Sequence, residues 1–438
     1  MPAGLRQLTI SFEEQGLTHF GGMFLFHRFC KTLGLRRRLQ RYVPFPHERI
    51  NHYQPVDLLL AILYAMVAGL PRLSKTRILQ YNGAFQHLVG LRGFPHPSRL
   101  TRWLRQWSES ELDGLLKVHE WLRLQLFYAP RPRTSLTFDL DSTVLTLYGW
   151  QIEGAKIGYN PKKPRRPSYQ PLLCFESHTQ DCWHGWLRPG DTHPASGARQ
   201  FLERCLQRVP QGIYRLRVRG DSGFFAHEVT EFLDERKLGY AIVARLTRPI
   251  QRRLPGLIFH RFRDRWEAAE FRYQPHGWRA AARFVVVRRP LPDDPIERAQ
   301  LTLWAFKRHA YHVLVTNLPL RAESVWRFYT RRARVELNIR ELKEAYPLAR
   351  IPTQSWQANE VYFHLILLAY NLVNWFRRLC LPREWQASTL GTLRTRLLVL
   401  PARLVRSGHR NVLKLPVGYQ HQRQFQQTLT RIGRLRIN

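Results

Sequence analysis

The sequence predicts an α/β protein in which a mixed sheet is covered by helices, with a helical segment before the sheet and a helical, basic segment after it. Apolar residues recur at helical spacing over residues 56–67 and again around Leu100, Trp103 and Leu104. From about Thr134, short runs rich in β-branched and aromatic residues alternate with helical stretches. Strands followed by strand–helix alternation are typical of an α/β core.

The chain of 438 residues is long enough for two or three domains. We expect a helical N-terminal domain at residues 1–130, a sheet-containing domain at 131–380 and a basic helical region at 381–438. Residues 284–287 have strand character but do not continue the strand–helix alternation. They indicate a strand-rich insertion at about 247–310.

The charge of the chain predicts a polyanionic partner. Sixty-nine basic and 32 acidic residues give a formal net charge of +37. A charge of this size repels itself strongly unless a polyanion neutralises it. The basic residues are spread along the whole chain instead of forming one juxtamembrane run, so nucleic acid is favoured over a membrane surface.

Neither zinc binding nor export is indicated by the sequence. The five cysteines form no C-x-x-C pair and have no histidine spacing of the zinc-finger type. The N-terminus lacks the pattern of a secretion signal, so we expect a cytoplasmic protein. The apolar stretch at 361–376 contains His364, Asn371 and Asn374 and is shorter than a bilayer span, which favours a buried core helix.

A basic helix is predicted in the N-terminal domain. Pro97 and Ser98 provide a helix start, and Arg99, Arg102 and Arg105 follow at steps of three, near one face. This pattern is typical of a helix-turn-helix element that presents arginines to DNA. It is equally typical of the solvated face of an ordinary amphipathic helix, and the sequence leaves both interpretations open.

Acidic side chains stand out on the predicted strands because acids are scarce in this chain. Asp139 and Asp141 point to the same face of one strand, where two carboxylates require either Arg or Lys or a metal ion to offset their repulsion. Asp221 follows the strand at 214–218, between Gly220 and Gly223. Each acid taken alone is also consistent with an ordinary strand end or turn.

A third acid lies in a predicted helix at residues 329–343. Tyr329, Arg332, Glu336 and Lys343 follow one another at steps of three, four and seven residues, which repeat one helix face. Such a face offers a hydroxyl, a guanidinium, a carboxylate and an ammonium group, a set suited to a metal ion beside DNA phosphates. A salt-bridged amphipathic helix is the alternative.

This spacing, Tyr-x2-Arg-x3-Glu-x6-Lys, resembles the motif of the insertion-sequence-four-like DDE transposases. Residues 141–143 resemble the first Asp segment of that family, and residues 219–224 resemble the second. Residues 158–161, 187–190 and 316–318 are similar to segments of its thirteen-eighty-type subgroup. The similarity covers roughly residues 130–380.

The resemblance implies an RNase H-like sheet that holds Asp141, Asp221 and Glu336, with Asp139 as an alternative first ligand. Three carboxylates of this kind bind two Mg²⁺ ions about 3.5 to 4 Å apart, with Mn²⁺ as a substitute. The implied activity is bacterial DNA transposition: a nucleoid-associated homodimer assembled on DNA cuts the terminal inverted repeats of its element and joins them to target DNA.

The resemblance and the basic residues also suggest DNA contacts. Arg332 and Lys343 are expected to clamp phosphates near the scissile bond, while Tyr329 donates a hydrogen bond. Trp304, in the insertion, is the candidate for stacking on a flipped base, although core packing explains this residue equally well. A basic, proline-rich loop is expected to contact phosphates, or else to be only solvated; it contains Lys162, Lys163, Arg165 and Arg166.

Two other functions remain open at this point. A structure-selective nuclease with the same core would use the same acids without pairing two DNA ends. A transposase-derived DNA-binding protein without catalysis would be expected to lack one of the acids or part of the Tyr, Arg, Glu and Lys set, and none is lacking here.

We predict that DNA binding by this protein depends strongly on salt. Lys and Arg contacts to phosphates release counterions, so the logarithm of the affinity should fall with the logarithm of the salt concentration, with a slope of about −0.9 per phosphate neutralised. Titrations of a DNA fragment at several salt concentrations measure the slope. A slope near zero would contradict a nucleic-acid partner.

Overall fold

The computed structural model describes residues 10–46, 53–127, 129, 133–149, 151–291, 305–306, 309–350 and 353–436. Its contacts divide the chain into two compact units. One consists of Phe127–Arg340, and the other combines Met1–Leu126 with Glu341–Asn438.

Helices and strands are numbered in chain order. The helices are α1 Met23–Thr32, α2 Leu35–Tyr42, α3 Pro55–Ala68, α4 Gly83–Leu88, α5 Pro97–Leu104, α6 Glu109–Phe127, α7 Ala198–Leu206, α8 His227–Glu235, α9 Arg248–Arg253, α10 Ala322–Thr330, α11 Ala333–Glu344, α12 Trp356–Cys380, α13 Leu390–Leu393 and α14 Gln422–Arg434. The strands are β1 Leu17–Thr18, β2 Ser135–Ser142, β3 Leu145–Thr146, β4 Lys156–Ile157, β5 Pro167–Tyr169, β6 Leu172–Glu176, β7 Cys182–Trp186, β8 Arg215–Gly220, β9 Gly239–Val243, β10 His260–Arg263, β11 Trp266–Tyr273, β12 Ala282–Pro290, β13 Ala305–Phe306, β14 His309–Thr316, β15 Ala402–Ser407 and β16 Arg410–Lys414.

A large mixed sheet forms the centre of the Phe127–Arg340 unit. Within the described residues it has ten strands in the order β10-β11-β12-β14-β9-β8-β2-β6-β7, with β13 beside β14. β8 pairs in parallel with β2 on one side and with β9 on the other. β2 and β6, β6 and β7, and β9 and β14 pair antiparallel. The predicted α/β class with a mixed sheet is therefore confirmed.

Helices cover both faces of this sheet, and the side-chain alternation of its strands explains how. In β12, Phe284 and Val286 belong to the core that also contains residues of α7 and α8. Val285 and Val287 belong to a second core that contains Val325 of α10. Because successive strand residues point to opposite faces, the apolar run at 284–287 is buried on both sides.

The strands of the segment expected to be an insertion extend this sheet. β12 pairs with β14 in antiparallel register along its whole length, from Arg283 opposite Thr316 to Pro290 opposite His309. β11 then pairs with β12, and β10 with β11. A strand buried on both faces needs a hydrogen-bonded neighbour as well as two packed faces, and β14 supplies that neighbour.

The other unit is built around two buried apolar helices. α3 is buried along almost its entire length, and so is α12. The ring of Phe376 in α12 lies 5.5 Å from that of Phe29 in α1, and Asn371 lies 2.6 Å from the Nε2 atom of His119 in α6. α12 therefore packs with the N-terminal helices, although the sequence placed residues up to 380 in the sheet-containing domain.

The predicted core helix at 361–376 lies within α12. Among the described residues, no single helix is long and apolar enough to cross a membrane; only the bent pair of Pro55–Ala68 and Leu73–Tyr81, at 96° to each other, reaches that length and composition jointly.

The C-terminal region is not wholly helical, which corrects the expectation for residues 381–438. β15 and β16 form a hairpin that pairs with β1 in a three-stranded sheet. Ser407 pairs with Arg410, so Gly408 and His409 form a two-residue loop, and Gly408 has a φ of +58°. Apolar pairs on each side of a short glycine-containing loop are the sequence signal for this hairpin.

We predict that Arg394 is a main stabilising contact of this unit. Its Nε donates to the carbonyl of Val67 at 2.8 Å, and its Nη2 donates to those of Met66 at 2.6 Å and Ala345 at 2.8 Å. The first two carbonyls lie at the end of α3, where a cation is favourable. Arg394→Ala should lower the free energy of unfolding by roughly 2–4 kcal/mol. Arg394→Lys keeps the charge but loses the planar fork, so its free energy of unfolding should lie between those of the unchanged protein and Arg394→Ala. Chemical denaturation measures the difference, and an unchanged midpoint for the alanine variant would refute this role.

Candidate active site

The parallel pairing of β2 with β8 brings two acids to the same edge of the sheet. Asp139 in β2 is directly opposite Arg219 in β8. Two residues further along each strand, Asp141 is therefore level with Asp221, which follows the end of β8. In both pairs the two residues are 80 positions apart in the sequence, and the parallel pairing of β2 with β8 explains this separation.

Asp139 belongs to a buried ion pair. Its two carboxylate oxygens accept from Nε and Nη2 of Arg219 at 2.6 and 2.8 Å, and both side chains are 1% exposed. The same guanidinium donates to the carbonyl of Phe328 and to Oγ of Ser177. Arg219 thus binds both carboxylate oxygens of Asp139, the residue that was expected as an alternative first metal ligand. The sequence pattern did not identify Arg219 as a site residue. The signal was present, because Arg219 follows Asp139 by 80 residues and Asp221 follows Asp141 by the same number.

Asp141 is paired with a different arginine. Its Oδ2 lies 3.2 Å from Nη2 of Arg332, and its Oδ1 accepts from the backbone N–H of Ser142 at 2.8 Å. Nη2 of Arg332 also donates to the carbonyl of Leu140 at 2.8 Å. Arg332 is buried against the end of β2.

Asp221 caps a short turn directly after β8. Its Oδ1 accepts from the backbone N–H of Gly223 at 2.9 Å. The glycines beside it permit close approach and do not adopt left-handed backbone: a Cβ on Gly223 would lie 2.8 Å from Pro194. Asp221 is half-buried, so its carboxylate remains accessible at the edge of the sheet.

The helix expected at 329–343 is interrupted. Tyr329, Arg332, Glu336 and Lys343 therefore do not lie on one face of a single continuous helix. α10 ends at Thr330 and α11 begins at Ala333, with Arg332 in the break. The N–H of Arg332 donates to the carbonyl of Tyr329, and the carbonyl of Arg332 accepts from the N–H of Val335, both at 2.9 Å. These contacts span three residues, tighter than an α-helix, and the break lets the guanidinium of Arg332 reach Leu140.

The three acids and their neighbours form one electrostatic site. The pKa of Asp141 is raised to about 7: burial is the largest cause, Arg332 opposes it, and the negative charges of Asp221 and Glu336 add to the rise. Burial likewise raises the pKa of Tyr329 to about 12, with contributions from the same three carboxylates. Glu336 is exposed on the first turn of α11, so the site is open to solvent on that side.

The carboxylates suit a hard divalent cation by their chemistry. All three offer oxygen ligands, which Mg²⁺ prefers, and their mutual repulsion is what such a cation would offset. In the part of the chain that the structure describes, no three Asp, Glu, His or Cys side chains lie close enough together to hold a metal ion. Side-chain movement of Asp221 or Glu336 is therefore needed before all three could act as ligands.

The remaining residues expected to contact DNA lie in separate segments of the chain. Lys343 lies two turns after Glu336 on α11, in the segment assigned to the other unit. The exposed loop before β5 contains Lys162, Lys163, Arg165 and Arg166. Trp304 lies outside the described residues.

The predicted arginine helix is present as α5, but its cap differs. His96, not Ser98, precedes the helix, and its Nδ1 accepts from the N–H of Ser98 at 3.3 Å. Arg99 lies over the ring of Tyr53 at 5.2 Å, whereas Arg102 and Arg105 are exposed.

We predict that the ion pair of Asp139 stabilises the fold and that Asp141 makes the stability depend on pH. Asp139→Asn leaves Arg219 buried without its counter-charge and should cost roughly 3–5 kcal/mol. Asp141 holds its proton more tightly in the folded than in the unfolded state, so its contribution is favourable at low pH and is lost as the pH rises through about 7. Asp141→Asn, which does not titrate, should remove this dependence, so the free energy of unfolding of the unchanged protein should fall relative to that of the variant as the pH rises from 5 to 8. Denaturant midpoints without divalent metal, at pH 5 and pH 8, measure both effects; a difference between the unchanged protein and Asp141→Asn that is the same at both pH values would contradict the predicted pH dependence.

Known proteins to which this chain is similar include transposases. No curated protein matches the sequence significantly. Among solved structures, the fold is similar to a piggyBac transposase in a synaptic complex with hairpin DNA, at 12% identity and a TM-score of 0.48, over 88% of this chain and 82% of that one. A Mos1 transposase in a paired-end complex with its left transposon end matches 39% of this chain and 77% of its own length, at 12% identity and a TM-score of 0.18. The family described as transposase DDE domain group 1 matches residues 2–437. The chain therefore belongs to this family of DDE transposases.

Proposed function

We propose that this protein is the transposase of a bacterial insertion sequence, which cuts the ends of its element and joins them to target DNA. The observation that carries the proposal is that the charges of Asp221 and Glu336 act on Asp141, at the edge of the sheet where β2 and β8 end. Membership of the DDE family supports a phosphoryl-transfer reaction at this site. We further propose that it belongs to the insertion-sequence-four-like group and its thirteen-eighty-type subgroup, on the motifs described above.

We propose that the central strands form an RNase H-like sheet. β7, β6 and β2 are an antiparallel series, and β8 and β9 continue from β2 in parallel. A three-stranded antiparallel series extended by two parallel strands supports this assignment. It also accounts for the position of the acids, because β2 and β8 run in the same direction and end at the same edge.

Asp141, Asp221 and Glu336 would hold two Mg²⁺ ions, with Mn²⁺ as a substitute, which when bound activate the attacking hydroxyl and stabilise the leaving oxygen. The contacts of Arg332 suit a positioning role, because it holds both the carboxylate of Asp141 and the carbonyl before it. Tyr329 keeps its proton at neutral pH and can donate a hydrogen bond to a DNA oxygen. The partners in this proposal are the terminal inverted repeats and target DNA, bound by a homodimer.

The test is Glu336→Gln, which preserves side-chain size but removes the charge that a divalent cation requires. Mg²⁺-dependent cleavage of a DNA fragment carrying the inverted repeat should fall by more than about 100-fold, beyond the cost of losing an outer-shell partner of a metal. Binding of the same fragment, measured by gel shift, should persist because no positive charge is lost. Mg²⁺ should raise the Tm of the unchanged protein and not that of the variant.

Glu344→Gln is the matched control, because Glu344 is an exposed acid on the same helix. This variant should cleave at the rate of the unchanged protein. If Glu336→Gln also cleaves at that rate, Glu336 is only a surface acid and the three-carboxylate site is wrong.

A further inference from the structure

A loop before α7 packs beside the turn that contains Asp221. This loop joins β7 to α7 and is held by Arg188, which is 3% exposed. Arg188 donates from Nε to the carbonyl of Gln170 at 3.1 Å and from Nη1 to that of Ser196 at 2.8 Å. The loop reaches the Asp221 turn, since Pro194 fills the space that a side chain at Gly223 would need.

Arg245 links this loop to the turn. It lies two residues after the end of β9, and its Nε donates to the carbonyl of Ser222 at 3.1 Å. Its Nη2 lies 2.9 Å from Nε2 of His193 in the loop. Because β9 runs parallel to β8, Arg245 stands at the same edge of the sheet as Asp221. Both Arg245 and His193 are exposed.

Both ring nitrogens of His193 face N–H groups, so there are more hydrogen-bond donors around the ring than acceptors. Burial, together with Arg245 and Arg188, lowers the pKa of His193, so its ring is neutral and carries one proton at neutral pH. Nδ1 of His193 faces the backbone N–H of Ala195 at 3.1 Å, and Nε2 faces the guanidinium of Arg245. Whichever nitrogen carries the proton, one ring N–H meets another N–H. An acceptor with several lone pairs would satisfy both donors.

We propose that Arg245 and His193 bind a phosphate oxygen of the DNA strand beside Asp221, and so position the neighbouring scissile phosphodiester. The inference rests on the proposed function, since it takes the DNA at this edge to be the substrate. An arginine fork with an additional N–H donor matches a phosphate group in both charge and geometry. Ser222 orients the fork, so the contact is aimed at the DNA strand next to Asp221.

The test compares Arg245→Ala and Arg245→Lys with Arg248→Ala, which removes a similarly exposed arginine three residues further on. The probe is a double-stranded fragment carrying the inverted repeat. In Arg245→Ala the salt slope of binding should become shallower by about 0.9, the value for one phosphate. The kcat of Mg²⁺-dependent cleavage should fall by about 100-fold through misplacement of the phosphate.

The control readouts separate this role from a general charge effect. Arg245→Lys should restore the slope but only part of kcat, because a lysine keeps the charge and loses the fork. Arg248→Ala should keep the kcat of the unchanged protein. The Mg²⁺-dependent rise in Tm should be the same in all three variants, since none alters a carboxylate.

Two results would overturn the proposal: an unchanged slope and kcat in Arg245→Ala, or an equal loss of kcat in Arg248→Ala. If the unchanged protein binds the fragment without cutting it, and Arg245→Ala still makes the slope shallower, the phosphate site stands while the transposase function fails. If cleavage occurs and does not depend on Arg245, the function stands and the phosphate site fails.

Discussion

The bidentate ion pair between Asp139 and Arg219 is the contact on which the rest of the candidate site depends. It joins β2 to β8 in a single register, and that register makes Asp141 level with Asp221. The same guanidinium holds the carbonyl of Phe328, one residue before Tyr329, so it also ties the end of α10 to the two strands. Breaking a pair of this kind leaves a buried charge without a partner, which is why one substitution there would disturb strands and helix together.

The site concentrates negative charge in a chain whose net charge is strongly positive. Asp139 is neutralised by Arg219 and Asp141 pairs with the buried guanidinium of Arg332, while Asp221 and Glu336 add further negative charge that acts on Asp141. Burial and the surplus of negative charge raise the pKa of Asp141 to about 7. An ionised carboxylate that is buried beside other negative charges lowers the stability of the folded protein, and a bound cation would restore that stability.

The parallel direction of three strands explains why the candidate functional residues lie at one edge of the sheet. β2, β8 and β9 are parallel, so the residues following each strand meet at the same end: Asp141 at the end of β2, Asp221 after β8 and Arg245 after β9. Crevices outside the carboxyl ends of parallel strands are the usual ligand sites of open α/β sheets. Acids suited to metal ions and a cation suited to phosphate thus lie at adjacent strand ends.

The sequence by itself determined the α/β class, most of the strands and helices, and the identity and spacing of the acids, because periodic burial and residue chemistry are local properties. Only the tertiary structure decided that Arg219 engages Asp139, that the helix breaks at Arg332, that α12 packs with the N-terminal helices and that β1 pairs with β15. Each of these depends on a partner distant in the chain: Arg219 is 80 residues from Asp139, and Arg332 is 192 residues from Leu140. A periodic pattern shows that a face is buried, but it does not specify which residue will cover that face or neutralise its charge.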